Sequence, residues 1–141
     1  MTIYRIIFVL LLLYCVPYRA FSALQSDAAQ KAEVRAIVNE VQSISKRCRT
    51  LDEFGRKTIE QGKKVLSIGE CAVYPLSTCL DDNTDWKVRF WIIDMLGYLE
   101  NPDARRPLLR TINNAAEKEI VKQQAEKSLK RLSVPVEHNI Q

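Results

Sequence analysis

The sequence holds one histidine and four glycines among its 141 residues, and no run of it alternates polar and apolar residues. The lone histidine, His138, cannot form the His pairs on which most protein zinc and iron sites depend. Glycine-rich phosphate loops, serine nucleophile motifs and closely spaced acidic pairs beside a plausible pocket are also missing. We therefore expect neither an enzyme nor a bound cofactor, and the missing alternation favours an all-α fold.

The first 22 residues have the pattern of a secretory signal peptide. Arg5 precedes an apolar run of about eleven residues, and the small residues Ala20 and Ser22 precede a possible cleavage site. The run is too short to span a bilayer comfortably, because spanning takes roughly 20 apolar residues. We expect export to a periplasmic or extracellular compartment, with membrane contact only during export. Anchoring by an uncleaved N-terminal segment is the alternative.

Removal of residues 1–22 would nearly balance the charge. The chain has 21 basic and 17 acidic residues, and the removed segment contains two basic residues and no acidic one, which leaves a net charge of +2. So small an excess lacks the basic footprint of nucleic-acid binding, so we expect no nucleic-acid partner.

Residues 26–50 contain no Gly or Pro and predict one long N-terminal helix. Its apolar positions recur at alternating steps of three and four residues and form one stripe: Val34, Ile37, Val41, Ile44, Cys48 and Leu51. Such a stripe favours packing against the rest of the domain. A separate coiled coil is the alternative, although about two heptads are short for one.

Further helical patterns follow, separated by the turn-forming stretches SIGEC, DDNTD and ENPD. They predict helices over 53–67, 72–81, 85–99, 104–113 and 116–132. Asp85 and Asp103 are placed to cap the third and fourth of these helices. Pro75 and Pro107 fall in the first turns of their helices, where a missing N–H is tolerated.

Two of these patterns repeat along the chain. AVYPLSTCLDD from Ala72 aligns with ARRPLLRTINN from Ala104 at an offset of 32 residues. VRFWIIDMLGYL from Val88 aligns with VKQQAEKSLKRL from Val121 at an offset of 33. A period in the low thirties in a chain of helix pairs predicts an α-solenoid.

The stretch DWKVRFWIIDMLGYLENPDARRPLL and, more loosely, VLSIGECAVYPL resemble the HEAT-repeat family, in particular the short repeats of phycobilisome lyases. The shared pattern is an Asp, a Val-Arg pair, a Leu-Gly, a short acidic turn, then Ala and Pro-Leu. The pattern fits residues 65–132 well and 51–64 poorly, because the latter lack the Val-Arg pair.

The resemblance implies a short right-handed α-solenoid over residues 26–132. The long helix 26–50 is followed by the parts 51–82, 83–114 and 115–132, the last as a partial C-terminal cap, and then by a polar tail, 133–141. HEAT-like proteins are protein-binding scaffolds and only occasionally chromophore lyases or metal enzymes. The di-iron relatives are excluded because they need several histidine ligands.

Three cysteines remain after residue 22, which allows one disulfide and one free thiol. In a solenoid, alternate helices run parallel in one layer, so the helix ends that carry Cys48 and Cys79 are expected to meet at disulfide distance. Cys71 and Cys79 would be about 12 Å apart along one helix. We therefore predict a Cys48–Cys79 disulfide and a free Cys71.

The short helices of such a solenoid usually line its concave face, which makes their outward positions candidate protein-binding residues. These positions are Tyr74, Ser77, Thr78, Arg105, Arg106 and Arg110. Arginine forks hold carboxylates and phosphates in a bidentate manner, so the patch favours an acidic or phosphorylated protein partner. A solvated face with salt bridges to neighbouring acids is the alternative.

The helix that begins near Val88 is apolar on two sides. Trp86 and Phe90 lie on the second of these sides, whereas the helix over 116–132 has one apolar side only. A helix with two apolar sides is typical of the interior of a stack, and one with a single side is typical of its end. We therefore interpret the aromatic cluster as packed core rather than as a pocket.

These patterns favour an exported, non-enzymatic scaffold or adaptor that binds another protein. A lyase-like or maturation chaperone for a modified or chromophore-bearing client is one alternative. A structural subunit of a larger envelope or secreted assembly is another.

Overall fold

A computed structural model describes residues 27–133. These residues form α-helices and two short 3-10 helices, and no strand occurs among them, so the all-α prediction is confirmed. The predicted signal peptide, 1–22, lies outside the described residues, as do His138 and all of the predicted tail except Ser133.

The order of elements follows the predicted order, with shifted boundaries. Helix α1 spans residues 27–47, and it is followed by α2 (Leu51–Lys57), α3 (Ile59–Ile68), a 3-10 helix (Gly69–Ala72), α4 (Val73–Asp82), α5 (Trp86–Tyr98), a second 3-10 helix (Pro102–Ala104), α6 (Arg105–Ile112) and α7 (Glu119–Ser133).

Helices α3, α5 and α7 form one layer, in which each packs against the next. Parallel packing of α5 and α7 is shown by contacts in the same order along both helices: Arg89 binds Glu117, and further along Asp94 binds Arg131. Helices α1, α4 and α6 form the second layer. Lys31 lies over Tyr74 near the start of α4, and Ser45 donates a hydrogen bond to Asp85 just beyond its end, so α1 and α4 also run parallel.

The core lies between the layers, and α5 is at its centre. Both predicted apolar sides of α5 contribute: Val88, Ile92 and Leu96 are fully buried on one side, and Ile93 on the other. Trp86 and Phe90 are half-buried and pack against the core. The prediction that the aromatic cluster packs against the core is therefore confirmed, but the exclusion of a pocket is wrong for Phe90, which also lines a surface groove described below.

The predicted helix over 53–67 is wrong, because Thr58 divides it into α2 and α3. The hydroxyl of Thr58 donates to the carbonyl oxygens of Phe54 at 3.0 Å and Gly55 at 3.2 Å. Such bonds from a β-branched residue to the preceding turn compete with the helical ladder and bend the chain. The bend buries both Phe54 and Thr58.

Of the two predicted caps, one is confirmed and one is wrong. Asp85 Oδ1 accepts a hydrogen bond from Lys87 N at 2.9 Å, and its Oδ2 accepts one from Ser45 Oγ at 2.7 Å. Asp103 caps nothing, because the chain enters α6 through a 3-10 helix that is capped by Asn101, whose Oδ1 accepts from Asp103 N at 2.8 Å. Asp85 therefore joins α1 to the start of α5, whereas Asp103 is an exposed residue within the second 3-10 helix.

We expect Asp85→Ala to lower the free energy of unfolding by about 1–2 kcal/mol, because it removes a helix cap and leaves Ser45 without its acceptor. Asp103→Ala is the matched control and should change stability by less than about 0.5 kcal/mol. Urea denaturation followed by circular dichroism measures both values. Equal losses for the two variants would contradict the assignment of the caps.

Candidate functional site

All six residues predicted to bind a protein line one groove of about 1040 Å³. The groove runs between α4 and α6, with the start of α1 at its edge, and we call it the α4–α6 groove. Tyr74, Ser77 and Thr78 come from α4, and three arginines come from α6: Arg105, Arg106 and Arg110. Steps of three and four residues place Ser77 and Thr78 on the same side of α4 as Tyr74, and a step of four places Arg110 on the same side of α6 as Arg106. Arg105, adjacent to Arg106, lines the groove from the neighbouring helix face.

The three arginines differ in whether their guanidinium groups already form an ion pair. Arg110 forms two hydrogen bonds to Asp81, at 2.6 and 2.8 Å, and this ion pair joins α4 to α6 across the groove. Arg105 and Arg106 are exposed, and neither forms an ion pair with any residue from 27 to 133. Within the groove, Arg105 and Arg106 are therefore the guanidinium groups that remain available to an acidic ligand.

The hydroxyl groups of α4 are bonded to their own helix. Ser77 Oγ donates to the carbonyl oxygen of Val73 at 2.8 Å, and Thr78 Oγ1 donates to that of Tyr74 at 3.2 Å. Each hydroxyl has a single proton, so only its lone pairs can accept from a ligand. Ser77 and Thr78 are thus acceptors in this groove rather than donors.

Tyr74 is the largest exposed apolar group in the groove, at 68% exposure. The ammonium group of Lys31 lies 5.1 Å from its ring centroid and also donates to Asp27 Oδ2 at 2.6 Å. This hydrogen bond to Asp27 raises the pKa of Lys31 above its ordinary value. Lys31 thus forms a cation–π contact with Tyr74 at the edge of the groove.

The sequence interpretation missed Leu109 and the acidic side chains of the groove. Leu109 is 41% exposed and follows Arg105 by four residues, so helical spacing alone would have placed it on the same face. Four acidic residues also line the groove: Asp27, Glu70, Asp81 and Asp103. The groove is therefore not a uniformly basic patch.

The predicted Cys48–Cys79 disulfide is wrong, because Cys48, Cys71 and Cys79 are all free thiols. Cys79 lies beside Val38 and Gln42 in the middle of α1, whereas Cys48 follows the end of that helix. Gln42, which marks the level of Cys79 along α1, precedes Cys48 by six positions. The two thiols therefore lie roughly two helical turns apart along α1. The spacing of apolar residues within each helix does not determine the register between α1 and α4, and this register keeps the two thiols apart.

In the folded protein, iodoacetamide should modify Cys71 rapidly and Cys48 and Cys79 only after denaturation. Cys71 is exposed and the other two are buried, and burial also raises the pKa of Cys79, which lowers its thiolate fraction. Pulsed labelling followed by peptide mass mapping gives the order in which the three thiols are alkylated. A Cys48–Cys79 peptide that resists alkylation until reduction would contradict the structure.

A second groove, of about 380 Å³, lies on the other layer between α2, α3 and α5, and we call it the α3–α5 groove. It is mainly apolar, and Phe90, Trp91 and Met95 form part of its lining. Three exposed apolar side chains lie along it: Ile59, Leu66 and Tyr98. The aromatic cluster of α5 is therefore core that also forms one wall of a shallow surface groove.

Comparison with known proteins yields no match to a protein family, to a curated protein or to a solved structure. Within residues 27–133, no group of three or more His, Cys, Asp or Glu side chains is arranged to hold a metal ion. None of the helices in this range combines the length and the apolar character needed to cross a membrane.

Proposed function

We propose that the chain is an exported, non-enzymatic scaffold with HEAT-like helix pairs that binds a segment of another protein in the α4–α6 groove. The single observation that supports this most strongly is the convergence of all six predicted residues on one groove. Their placement follows from the repeat, because equivalent turns of α4 and α6 contribute Tyr74 and Arg106 at the 32-residue offset.

The composition of the groove suits protein recognition. Tyr and Arg are the residue types that dominate binding energy at protein interfaces, and an exposed Leu adds apolar area. Tyr74 and Leu109 are both exposed, and Arg105 and Arg106 have no ion-pair partner within the described part of the chain. The volume of about 1040 Å³ accommodates several side chains of a partner.

A capture experiment tests this function. The protein serves as bait in an extract of its own compartment, beside the variant Tyr74→Ser/Arg105→Gln/Arg106→Gln. A control variant makes the same kinds of change on the other layer, Arg56→Gln/Lys63→Gln/Tyr98→Ser. We expect the groove variant to lose a captured protein that the control retains, because only the groove variant removes contacts in the α4–α6 groove.

Two outcomes would contradict the proposal. Capture of every partner by the groove variant would exclude the groove as the binding site. Loss of the partner only in the control variant would assign binding to the α3–α5 groove instead.

A further inference from the structure

The α4–α6 groove has walls of opposite charge. The wall formed by α1, α4 and the 3-10 helix before α4 lines the groove with acidic but no basic side chains, namely Asp27, Glu70 and Asp81. The wall formed by α6 and the 3-10 helix before it contributes one acidic and three basic side chains, namely Asp103, Arg105, Arg106 and Arg110. A ligand in the groove therefore meets a different sign of charge on each side.

Internal ion pairs reduce this contrast but do not remove it. Asp81 is paired with Arg110 across the groove, and Asp27 is paired with Lys31 on its own helix. Four lining residues form no ion pair within residues 27–133: Glu70 on the α4 wall, and Asp103, Arg105 and Arg106 on the α6 wall. The α4 wall thus retains a negative charge and the α6 wall a positive one.

An apolar group is exposed on each wall. Tyr74 belongs to α4 and Leu109 to α6, so each wall presents an apolar group to a ligand in the groove. The ridge of a helix fits into a groove between two parallel helices, and its flanks then face the two walls.

We propose that the groove binds an amphipathic helix with an apolar ridge, carboxylates along one flank and amino groups along the other. This inference rests on the proposed function and specifies the chemistry of its partner. The carboxylate flank lies against Arg105 and Arg106, whose guanidinium forks match carboxylate geometry, and the amino flank lies toward Glu70. Exposed ion pairs add little affinity, so Tyr74 and Leu109 provide the binding energy and the charges select the pattern.

Three fluorescein-labelled helical peptides of about 14 residues, or four turns, test this pattern by fluorescence anisotropy with the purified protein. In the segregated peptide, Glu and Lys occupy opposite flanks of a Leu ridge. The mixed peptide has the same composition with both residues on both flanks, and the acidic peptide has Gln in place of Lys.

We expect the segregated peptide to bind about fivefold more tightly than the mixed one, because only a few exposed and individually weak ion pairs distinguish the two peptides. The acidic peptide should bind more weakly than the segregated peptide. Arg105→Gln/Arg106→Gln should abolish the fivefold preference, and the control Arg56→Gln/Lys63→Gln should retain it.

Equal affinity for the segregated and mixed peptides would overturn the inference and leave the proposed function intact. Tighter binding of the acidic peptide would overturn it in favour of a simply acidic partner. If no peptide binds but the capture experiment still depends on the groove residues, the inference is wrong and the proposed function stands. If the substitutions in the groove change neither peptide binding nor capture of a partner, both proposals are wrong.

Discussion

Arg89→Met should lower the free energy of unfolding by about 4 kcal/mol, the cost expected when one partner of a buried ion pair is removed. Arg89 and Glu117 are only 15% and 6% exposed in their side chains, and Arg89 Nε donates to Glu117 Oε2 at 2.9 Å. The same guanidinium also donates to the carbonyl oxygens of Leu80 and Asn83 at the end of α4. One side chain therefore joins the end of α4 to the turn before α7.

The loss is large because three acceptors are left without their donor when Arg89 is removed. A domain of this size has a total stability of about 5–15 kcal/mol, so the variant should unfold at a much lower urea concentration. The measurement is urea denaturation followed by circular dichroism.

Arg110→Met is the matched control, because it removes an arginine from an ion pair that is about half exposed. It should cost no more than about 1 kcal/mol. The double variant Arg89→Met/Glu117→Leu should recover much of the loss, since it leaves no unpaired buried charge. Equal losses for Arg89→Met and Arg110→Met would show that the buried pair does not join these elements.

Gly97→Ala should lower the free energy of unfolding by about 3 kcal/mol, because α5 and α7 are too close at this point for a methyl group. A Cβ atom at position 97 would lie 2.6 Å from the Cβ and 2.9 Å from the Cα of Ser128. The hydroxyl of Ser128 also donates to the carbonyl oxygen of Ile93 at 2.9 Å, which holds the two helices at this distance. Thermal and urea denaturation measure the effect.

Gly55→Ala is the control, because no atom lies within 4 Å of the Cβ it would add. It should raise stability by about 0.5–1 kcal/mol through the higher helix propensity of Ala. Adding Ser128→Gly to Gly97→Ala should restore little, since the backbone of α7 is itself in contact. A Gly97→Ala variant as stable as the Gly55→Ala variant would contradict the close packing of α5 and α7.

The sequence predicted those parts of the fold that depend on local spacing. The stripe of α1 is buried at Val34, Ile37 and Val41, and both apolar sides of α5 contribute to the core. The six groove residues were also identified from helical spacing, and Tyr74 and Arg106 occupy equivalent positions at the 32-residue offset.

Features that depend on contacts between distant elements were not predicted. The Leu-Gly pair was visible as a repeat motif, but the need for Gly97 arises from Ser128, 31 residues away. Gln124 looks like a surface residue by type, yet it is buried and donates to Asp94 Oδ1 at 2.7 Å. Sequence spacing groups Arg110 with Arg105 and Arg106, because no local pattern reveals its pairing with Asp81.

The most direct test of the proposed scaffold function is site-specific photo-cross-linking in intact cells that produce the protein. Benzoylphenylalanine replaces Tyr74 in the α4–α6 groove or, as a control, Tyr98 on the other layer. We predict a discrete cross-linked protein with the probe at position 74, none at position 98, and several-fold less of the product when Arg105→Gln/Arg106→Gln is added. Cross-linking at position 98 alone, or a product at position 74 that is indifferent to both arginine substitutions, would contradict the account.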